Sequence, residues 1–248
     1  MRIDSTANER IKAVRRLHRG RERRRTIQTI IEGPNLVAAA LEAGIVPHEI
    51  YTVEGGMLAA RCEAAGSNVV EISAPVLGVI STTVEPQDPV GVISIPRHRP
   101  IGLRRTVVAV EISDPGNLGT LIRSAGALGW QIALIGGADP WSPKVMRASA
   151  GVQLTHPAIA LESFSQLRGA GLEPIATTVS GGIDPGSLDI AQPIALLVGN
   201  ESHGLPAGMV EQCAALVTIP LAEGVESLNA SVAATIVMYA LGREQTTE

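Results

Sequence analysis

Asn117, Arg123, Glu201, Ser227 and Asn229 sit in or just after three polar turns, and each turn follows an apolar, β-branched run. The first runs Asp114-Pro115-Gly116-Asn117-Leu118-Gly119-Thr120-Leu121-Ile122-Arg123-Ser124-Ala125. The second is Leu197-Val198-Gly199-Asn200-Glu201-Ser202-His203-Gly204-Leu205-Pro206, and the third spans Ile219 to Ala233 through Ser227-Leu228-Asn229. Polar turns at the carboxyl ends of buried strands are where an open α/β sheet builds a ligand site. Arg123, among apolar neighbours on a helix, is either paired with a carboxylate or aimed at a phosphate. Asn117 opens that helix, so it reads equally as an N-cap and as a site residue. Glu201 can fix Arg123 or Asn229, accept hydrogen bonds from a ligand, or stand as a solvated carboxylate. Gly199 lets backbone come close to a flat ligand such as adenine. Ile219 and Leu221, flanking Pro220, supply apolar walls. Ser227 starts the final helix, where capping and orienting a reactant are compatible roles. His203 is assigned to the surface. The five histidines are too scattered along the chain for a clustered metal site, and no metal is expected.

Positioning these turns requires an alternating fold. A basic amphipathic helix is expected over residues 5–20, where Ile11, Val14 and Leu17 recur at helical spacing. Strands at 26–31, 49–53, 68–72 and 90–95 alternate with helices at 34–43, 57–65 and 75–80 as a small α/β unit. Pro96-Arg97-His98-Arg99-Pro100 breaks the pattern and reads as a linker. A second unit then starts with the continuous apolar run 106–112, typical of a buried parallel strand. Further strands are expected at 131–135, 157–160, 174–178, 194–198 and 216–219, with a last helix over 227–241.

The chain of 248 residues can bury a sizeable core as one or two domains. It has no apolar run long enough for a membrane span and no signal-peptide core at its start. Cys62 and Cys213 read as separate reduced thiols. A cytoplasmic location is expected. Residues 1–25 hold ten of the twenty Lys and Arg against three acids, a charge of +7, which leaves −11 on the rest of a chain of net charge −4. A cationic arm on an acidic body suits a polyanion better than a merely solvated helix face, and Arg15, Arg16, Arg19, Arg23, Arg24 and Arg25 are the candidate nucleic-acid contacts. Five aromatic residues cannot supply a base-stacking platform, so recognition should rest on phosphates and shape. A dinucleotide enzyme is disfavoured because no Gly-x-Gly-x-x-Gly follows a strand.

Together, in this order and near this spacing, the three segments resemble the three motifs of the SpoU (TrmH-like) RNA ribose 2′-O-methyltransferases, of the knotted SPOUT class. Lys144-Val145-Met146-Arg147-Ala148-Ser149-Ala150-Gly151 is similar to the family's helix between motifs one and two. Glu32-Gly33-Pro34-Asn35-Leu36 matches the strand-to-helix turn of the RNA-binding domain that many members carry. The resemblance is strong over residues 104–243 and looser before them. It implies an α/β protein with a C-terminal parallel-sheet SPOUT domain folded as a trefoil knot and a smaller N-terminal α/β RNA-binding domain. The expected division is a basic arm at 1–25, an RNA-binding domain at 26–96, a linker at 97–103 and the methyltransferase domain at 104–248. The implied cofactor is S-adenosyl-L-methionine, held by Thr178, Val198, Gly199, Asn200, Ile219, Leu221, Ser227 and Leu228. Asn117, Arg123, Glu201, Ser227 and Asn229 match the catalytic positions. Arg123 acts either as the base for the ribose hydroxyl or as a phosphate clamp, and the very high pKa general to guanidinium groups favours the clamp. The family works as homodimers whose sites borrow residues across the interface. The expected activity is RNA 2′-O-ribose methylation, with ribosomal RNA favoured over transfer RNA because a separate RNA-binding domain is present. The alternative is a non-catalytic RNA-binding protein that kept the fold.

Overall fold

The computed structural model describes residues 2–97, 99–188 and 193–243, and the chain divides into two units. One comprises Met1–Arg97 and Asp139–Thr155, the other His98–Ala138 and His156–Glu248. His98, in the expected linker, lies outside the described residues. The first unit contains α1 (Glu9–Arg16), α2 (Gly20–Thr26), β1 (Gln28–Glu32), α3 (Pro34–Glu42), β2 (Glu49–Thr52), α4 (Met57–Ala64), β3 (Asn68–Glu71), α5 (Ala74–Ile80) and β4 (Val90–Ser94). Its strands lie in the order β1-β4-β2-β3, with β4 antiparallel to both neighbours and β2 parallel to β3.

The N-terminal basic segment is part of this unit and not a free arm. Asn8 caps α1 by accepting a hydrogen bond from Arg10 N. Ile11, Val14 and Leu17 share a core with Ile30, Tyr51 and Val70. Each such buried side chain contributes about 1.5–3 kcal/mol, while Arg10, Lys12, Arg15 and Arg16 beside them stay in water. Arg10 also pairs with Glu49, whose second carboxylate oxygen accepts from the buried Tyr51 hydroxyl. The strand expected from Thr26 begins at Gln28, because α2 continues to Thr26 and Ile27 turns left-handed at φ 54°.

Residues 139–155, part of the stretch 104–248 expected as the methyltransferase domain, pack with the first unit. In chain order the elements after β4 are β5 (Thr106–Val110), α6 (Pro115–Ala127), β6 (Gln131–Ile135), α7 (Pro143–Ala148) and α8 (Val152–Thr155), and the last two belong to the first unit. Trp141, Met146 and Leu154 pack with Ile31, Leu36 and Ile50. Thr29 Oγ1 donates to the Trp141 carbonyl at 2.6 Å, and Arg23 pairs with Asp139 at 2.6 Å. Arg147 on α7 donates to Thr82 and stands 3.7 Å from the Glu32 carboxylate.

The second unit continues with β7 (Ile159–Ala160), α9 (Ser165–Gly169), β8 (Glu173–Thr177), β9 (Ile194–Val198), α10 (Ala207–Val210), β10 (Ala215–Val217) and α11 (Ala230–Arg243). Its sheet has the order β10-β8-β9-β5-β6-β7, and every neighbouring pair is parallel. All five residues of β5 and of β9 are buried, as expected of central strands covered on both faces. The chain lays β6 and β7 on one side of β5 and returns to build β8, β9 and β10 on the other. The carboxyl ends of β5 and β9 therefore flank the point where the strand order reverses. Among the described residues no helix is long and apolar enough to cross a membrane.

Candidate active site

A cavity of about 660 Å³ opens at the carboxyl ends of β8, β9 and β10 and is closed by the stretch that leads into α11. Thr178, Val198, Gly199, Asn200, Ile219, Leu221, Ser227 and Leu228 all line it, so the second and third polar turns converge there as expected. Gly199 is required by a close approach. A Cβ at that position would stand 2.3 Å from the Gly204 carbonyl carbon and 2.5 Å from Leu205 N. The approach arises because Asn200 and Gly204 exchange backbone hydrogen bonds of 3.2 and 2.9 Å, pinching the turn shut.

Asn200 has a structural duty as well as a cavity-facing one. Its Nδ2 donates to the Glu111 carbonyl at 2.8 Å and to Ser113 Oγ at 3.3 Å, while its Oδ1 accepts from Ser202 N at 2.8 Å. This stitches the turn after β9 to the turn after β5. Glu111 ends β5 by taking a left-handed φ of 55°, which points its carbonyl into that contact and stops the strand short of residue 112.

Asp114, not Asn117, caps α6: its carboxylate accepts from Asn117 N at 2.8 Å, with Pro115 in the first turn. The Asn117 side chain is thereby released to the site. Its Nδ2 donates to Glu201 Oε1 at 2.7 Å, and its Oδ1 accepts from Asn229 Nδ2 at 2.9 Å. Residues from all three turns are thus linked as Asn229–Asn117–Glu201. Asn229 Oδ1 meanwhile accepts from Ser231 N at 3.0 Å and Ser231 Oγ at 2.7 Å, capping α11. Ser227 was expected to start this helix. It instead lies in the non-helical stretch before Ala230, where it borders the cavity. Arg123 does not line the cavity. It is exposed on α6, one residue before Ser124, whose hydroxyl accepts from Thr235 of α11 at 2.9 Å.

Of the arginines expected to meet RNA, Arg15, Arg16, Arg19, Arg24 and Arg25 lie on α1, α2 and the turn between them, outside the core. Arg25 is also paired with Glu22 at 2.9 Å. Arg23 is a correction. Its side chain is 4% exposed, and it donates to Asp139 and to the carbonyls of Leu17 and His18. Its guanidinium fork is turned to these buried acceptors, so it serves the fold and not a phosphate.

Sequence reasoning missed several lining residues, among them Val179, Ser202, His203, Ala233 and Val237. His203 is exposed and also borders the cavity, inside the same pinched turn as Glu201. The two glycines that bracket Asn200-Glu201-Ser202-His203 were the signal for that turn. Val237 lies two helical turns beyond Ala230, and only the packing of α11 brings it to the cavity.

The sequence profile of the SpoU rRNA Methylase family matches residues 104–239, and an MRM3-like substrate binding domain matches residues 8–91. The second match begins just before α1, in keeping with the place of that helix in the first unit's core. An uncharacterised tRNA/rRNA methyltransferase of Synechocystis is 34% identical over 98% of this chain and 94% of its own length. The 23S rRNA (guanosine(2553)-2′-O)-methyltransferase RlmP of Bacillus subtilis is 30% identical, covering 96% of this chain and 98% of that protein. The AdoMet-bound rRNA methyltransferase of Sinorhizobium meliloti superposes with a TM-score of 0.88 at 32% identity, covering 100% of this chain and 99% of the other.

Proposed function

Since the chain belongs to the SpoU rRNA methylase family, we propose that it transfers the methyl group of S-adenosyl-L-methionine to a ribose 2′-oxygen of RNA, with ribosomal RNA as the substrate. The observation that carries this reading is the Asn229–Asn117–Glu201 chain of hydrogen bonds at the rim of a cavity lined by all eight expected cofactor residues. The cavity fits the cofactor chemically. Val198, Ile219, Leu221 and Leu228 offer apolar walls for an adenine, and the pinched backbone at Gly199 allows a flat ring to approach. Glu201 supplies negative charge for a sulfonium cation. The trefoil threading of the domain belongs to the same reading.

The cofactor supplies an already activated methyl group, so the protein's task is positioning. Thr178 and the turns after β9 and β10 hold the ligand. Asn117 and Asn229 keep the Glu201 carboxylate in one orientation. Arg123 clamps a phosphate next to the target ribose and sets the 2′-oxygen in line with the methyl group. The exposed arginines of α1 and α2 bind the RNA backbone, without base stacking.

Arg123 is not among the residues lining its own chain's cavity, and we assign it to the site of a second copy in a homodimer. On α11, Val232, Ile236 and Tyr239 are 45%, 42% and 55% exposed, at the i, i+4 and i+7 positions of one face. The opposite face, with Ala234, Val237, Met238 and Leu241, is buried. That exposed stripe suits the interface of a cytoplasmic homodimer.

The test is a tritiated methyl-transfer assay on undermethylated ribosomal RNA and bulk transfer RNA, with calorimetry of cofactor binding. The expected result is label on a ribosomal ribose 2′-oxygen. Arg123→Ala should lose at least about a hundredfold in turnover while still binding the cofactor. Wild-type turnover in Arg123→Ala removes that residue from the mechanism. Label on transfer RNA replaces the substrate, and absent cofactor binding favours a non-catalytic RNA-binding protein.

A further inference from the structure

Residues 178–183 leave the end of β8, run past the cavity and return to β10, the edge strand of the sheet. Backbone hydrogen bonds fix both ends of the excursion: Thr178 N to the Val217 carbonyl at 2.9 Å, Ile183 N to the Leu216 carbonyl at 2.9 Å, and Thr218 N to the Ile183 carbonyl at 3.0 Å. Between these ends Val179 is 73% exposed, and it lines the cavity together with Thr178. Ser180 and Gly181, next along this rim, are exposed as well.

One hydroxyl closes it. Thr218 Oγ1 accepts from Gly182 N at 3.0 Å and lies 3.0 Å from Thr178 Oγ1. Thr178 Oγ1 in turn reaches the Val217 carbonyl at 3.4 Å. These contacts satisfy one consistent proton order, in which Gly182 N–H donates to Thr218, the Thr218 hydroxyl donates to Thr178, and the Thr178 hydroxyl donates to Val217. The close approach needs glycine at 182, where a Cβ would stand 2.7 Å from Thr218 Oγ1 and from the Val217 carbonyl carbon. Thr218 itself is half-buried and does not line the cavity.

We propose that Thr218 is a positioning residue for the cofactor: its hydroxyl locks the 178–183 rim in the binding shape before the ligand arrives. This rests on the reading of the cavity as the S-adenosyl-L-methionine site. A pre-set rim spares the ligand the ordering of those residues, so its loss is felt in binding and not in the chemical step. Thr218→Val keeps the side-chain shape but removes both the acceptor for Gly182 N–H and the donor to Thr178. Thr218→Ser keeps the hydroxyl and removes only a methyl group.

The test is calorimetric titration of each full-length protein with S-adenosyl-L-methionine, together with methyl-transfer kinetics. Thr218→Val should weaken cofactor binding about tenfold, the effect of removing one hydrogen bond and leaving an amide unpaired. Its kcat at saturating cofactor should stay at the native level, and Thr218→Ser should bind as the native protein does. Native affinity in Thr218→Val overturns the clamp, as does an equal loss in both variants or a loss confined to kcat. If the native protein itself fails to bind S-adenosyl-L-methionine, the reading of the cavity falls, and the clamp falls with it.

Discussion

Burying a carboxylate costs several kcal/mol unless its oxygens are met by donors. Glu32, with a side chain 1% exposed, is met by the hydroxyls of Ser81, Thr82 and Thr83 and by the backbone amides of Thr82 and Gln87. Burial pushes its pKa up, but these hydrogen bonds outweigh it and hold the group down at about 2, from an ordinary value of 4.5. A depressed folded-state pKa adds stability that is fully present above the unfolded value and is lost as pH falls through the folded one. The window is therefore pH 4.5 down to 2, and the contribution is on the order of 3 kcal/mol. Urea unfolding of native protein and Glu32→Gln across that window should show the variant less stable at pH 6 and the gap narrowing on acidification. A gap that stays constant with pH would show that the charge of Glu32 contributes nothing. The turn at Glu32-Gly33-Pro34 was legible in the sequence. The cage around it was not, because its donors come from residues some fifty positions along the chain.

At the scale of the element, α1 and α2 carry one charge pattern that the fold divides between solvent and interior. The spacing of Ile11, Val14 and Leu17 was enough to identify an amphipathic helix, but not to show what its apolar face would meet. Once that face is buried, each arginine's place on the helices decides its use. Arg15 and Arg16 point to solvent, whereas Arg23 points inward to Asp139. Their substitutions should separate accordingly. Arg23→Ala strands a partly buried carboxylate and two backbone carbonyls and should cost roughly 3 kcal/mol of stability. Arg15→Ala and Arg16→Ala should each change stability by less than about 0.5 kcal/mol. They should also flatten the salt dependence of RNA binding by about 0.7 to 0.9 in log–log slope for each phosphate no longer neutralised. Unchanged slopes would leave Arg15 and Arg16 without a part in RNA binding. Removing residues 1–25 outright would not test the point, since it would also remove a piece of the first unit's core.

At the scale of the whole molecule, the proposed dimer lets Arg123, exposed and absent from its own chain's cavity lining, act in the partner's site. If each site draws Arg123 from a partner, two inactive variants can restore one another. Arg123→Ala mixed equally with Asn229→Ala should recover about a quarter of native activity, because half of randomly paired dimers are mixed and each holds one intact site of two. No recovery, with mixed dimers shown to form by mass spectrometry, would place Arg123 and Asn229 in the same chain's site. Disrupting the α11 stripe with Ile236→Asp should abolish both dimer formation and recovery, through a charge buried in an apolar contact.

Where the chain turns, which strands are fully buried and which side chains carry chemistry are local properties, written in periods of two and about 3.6 residues and in turn residues at fixed offsets. That is why the three polar turns, the runs that became β5 and β9, and many of the residues lining the cavity could be read from sequence alone. Which of two plausible partners a residue takes is set by the order of strands in the sheet and by packing at long range. Only the tertiary structure could give the capping of α6 to Asp114 and so free Asn117 for Glu201 and Asn229. It alone could place residues 139–155 in the first unit, bury Arg23, and bring the Thr218 hydroxyl against Thr178 and Gly182. Most of these contacts join residues whose separation in the chain leaves no periodic trace, so the energy that selects them exists only after the strands have assembled.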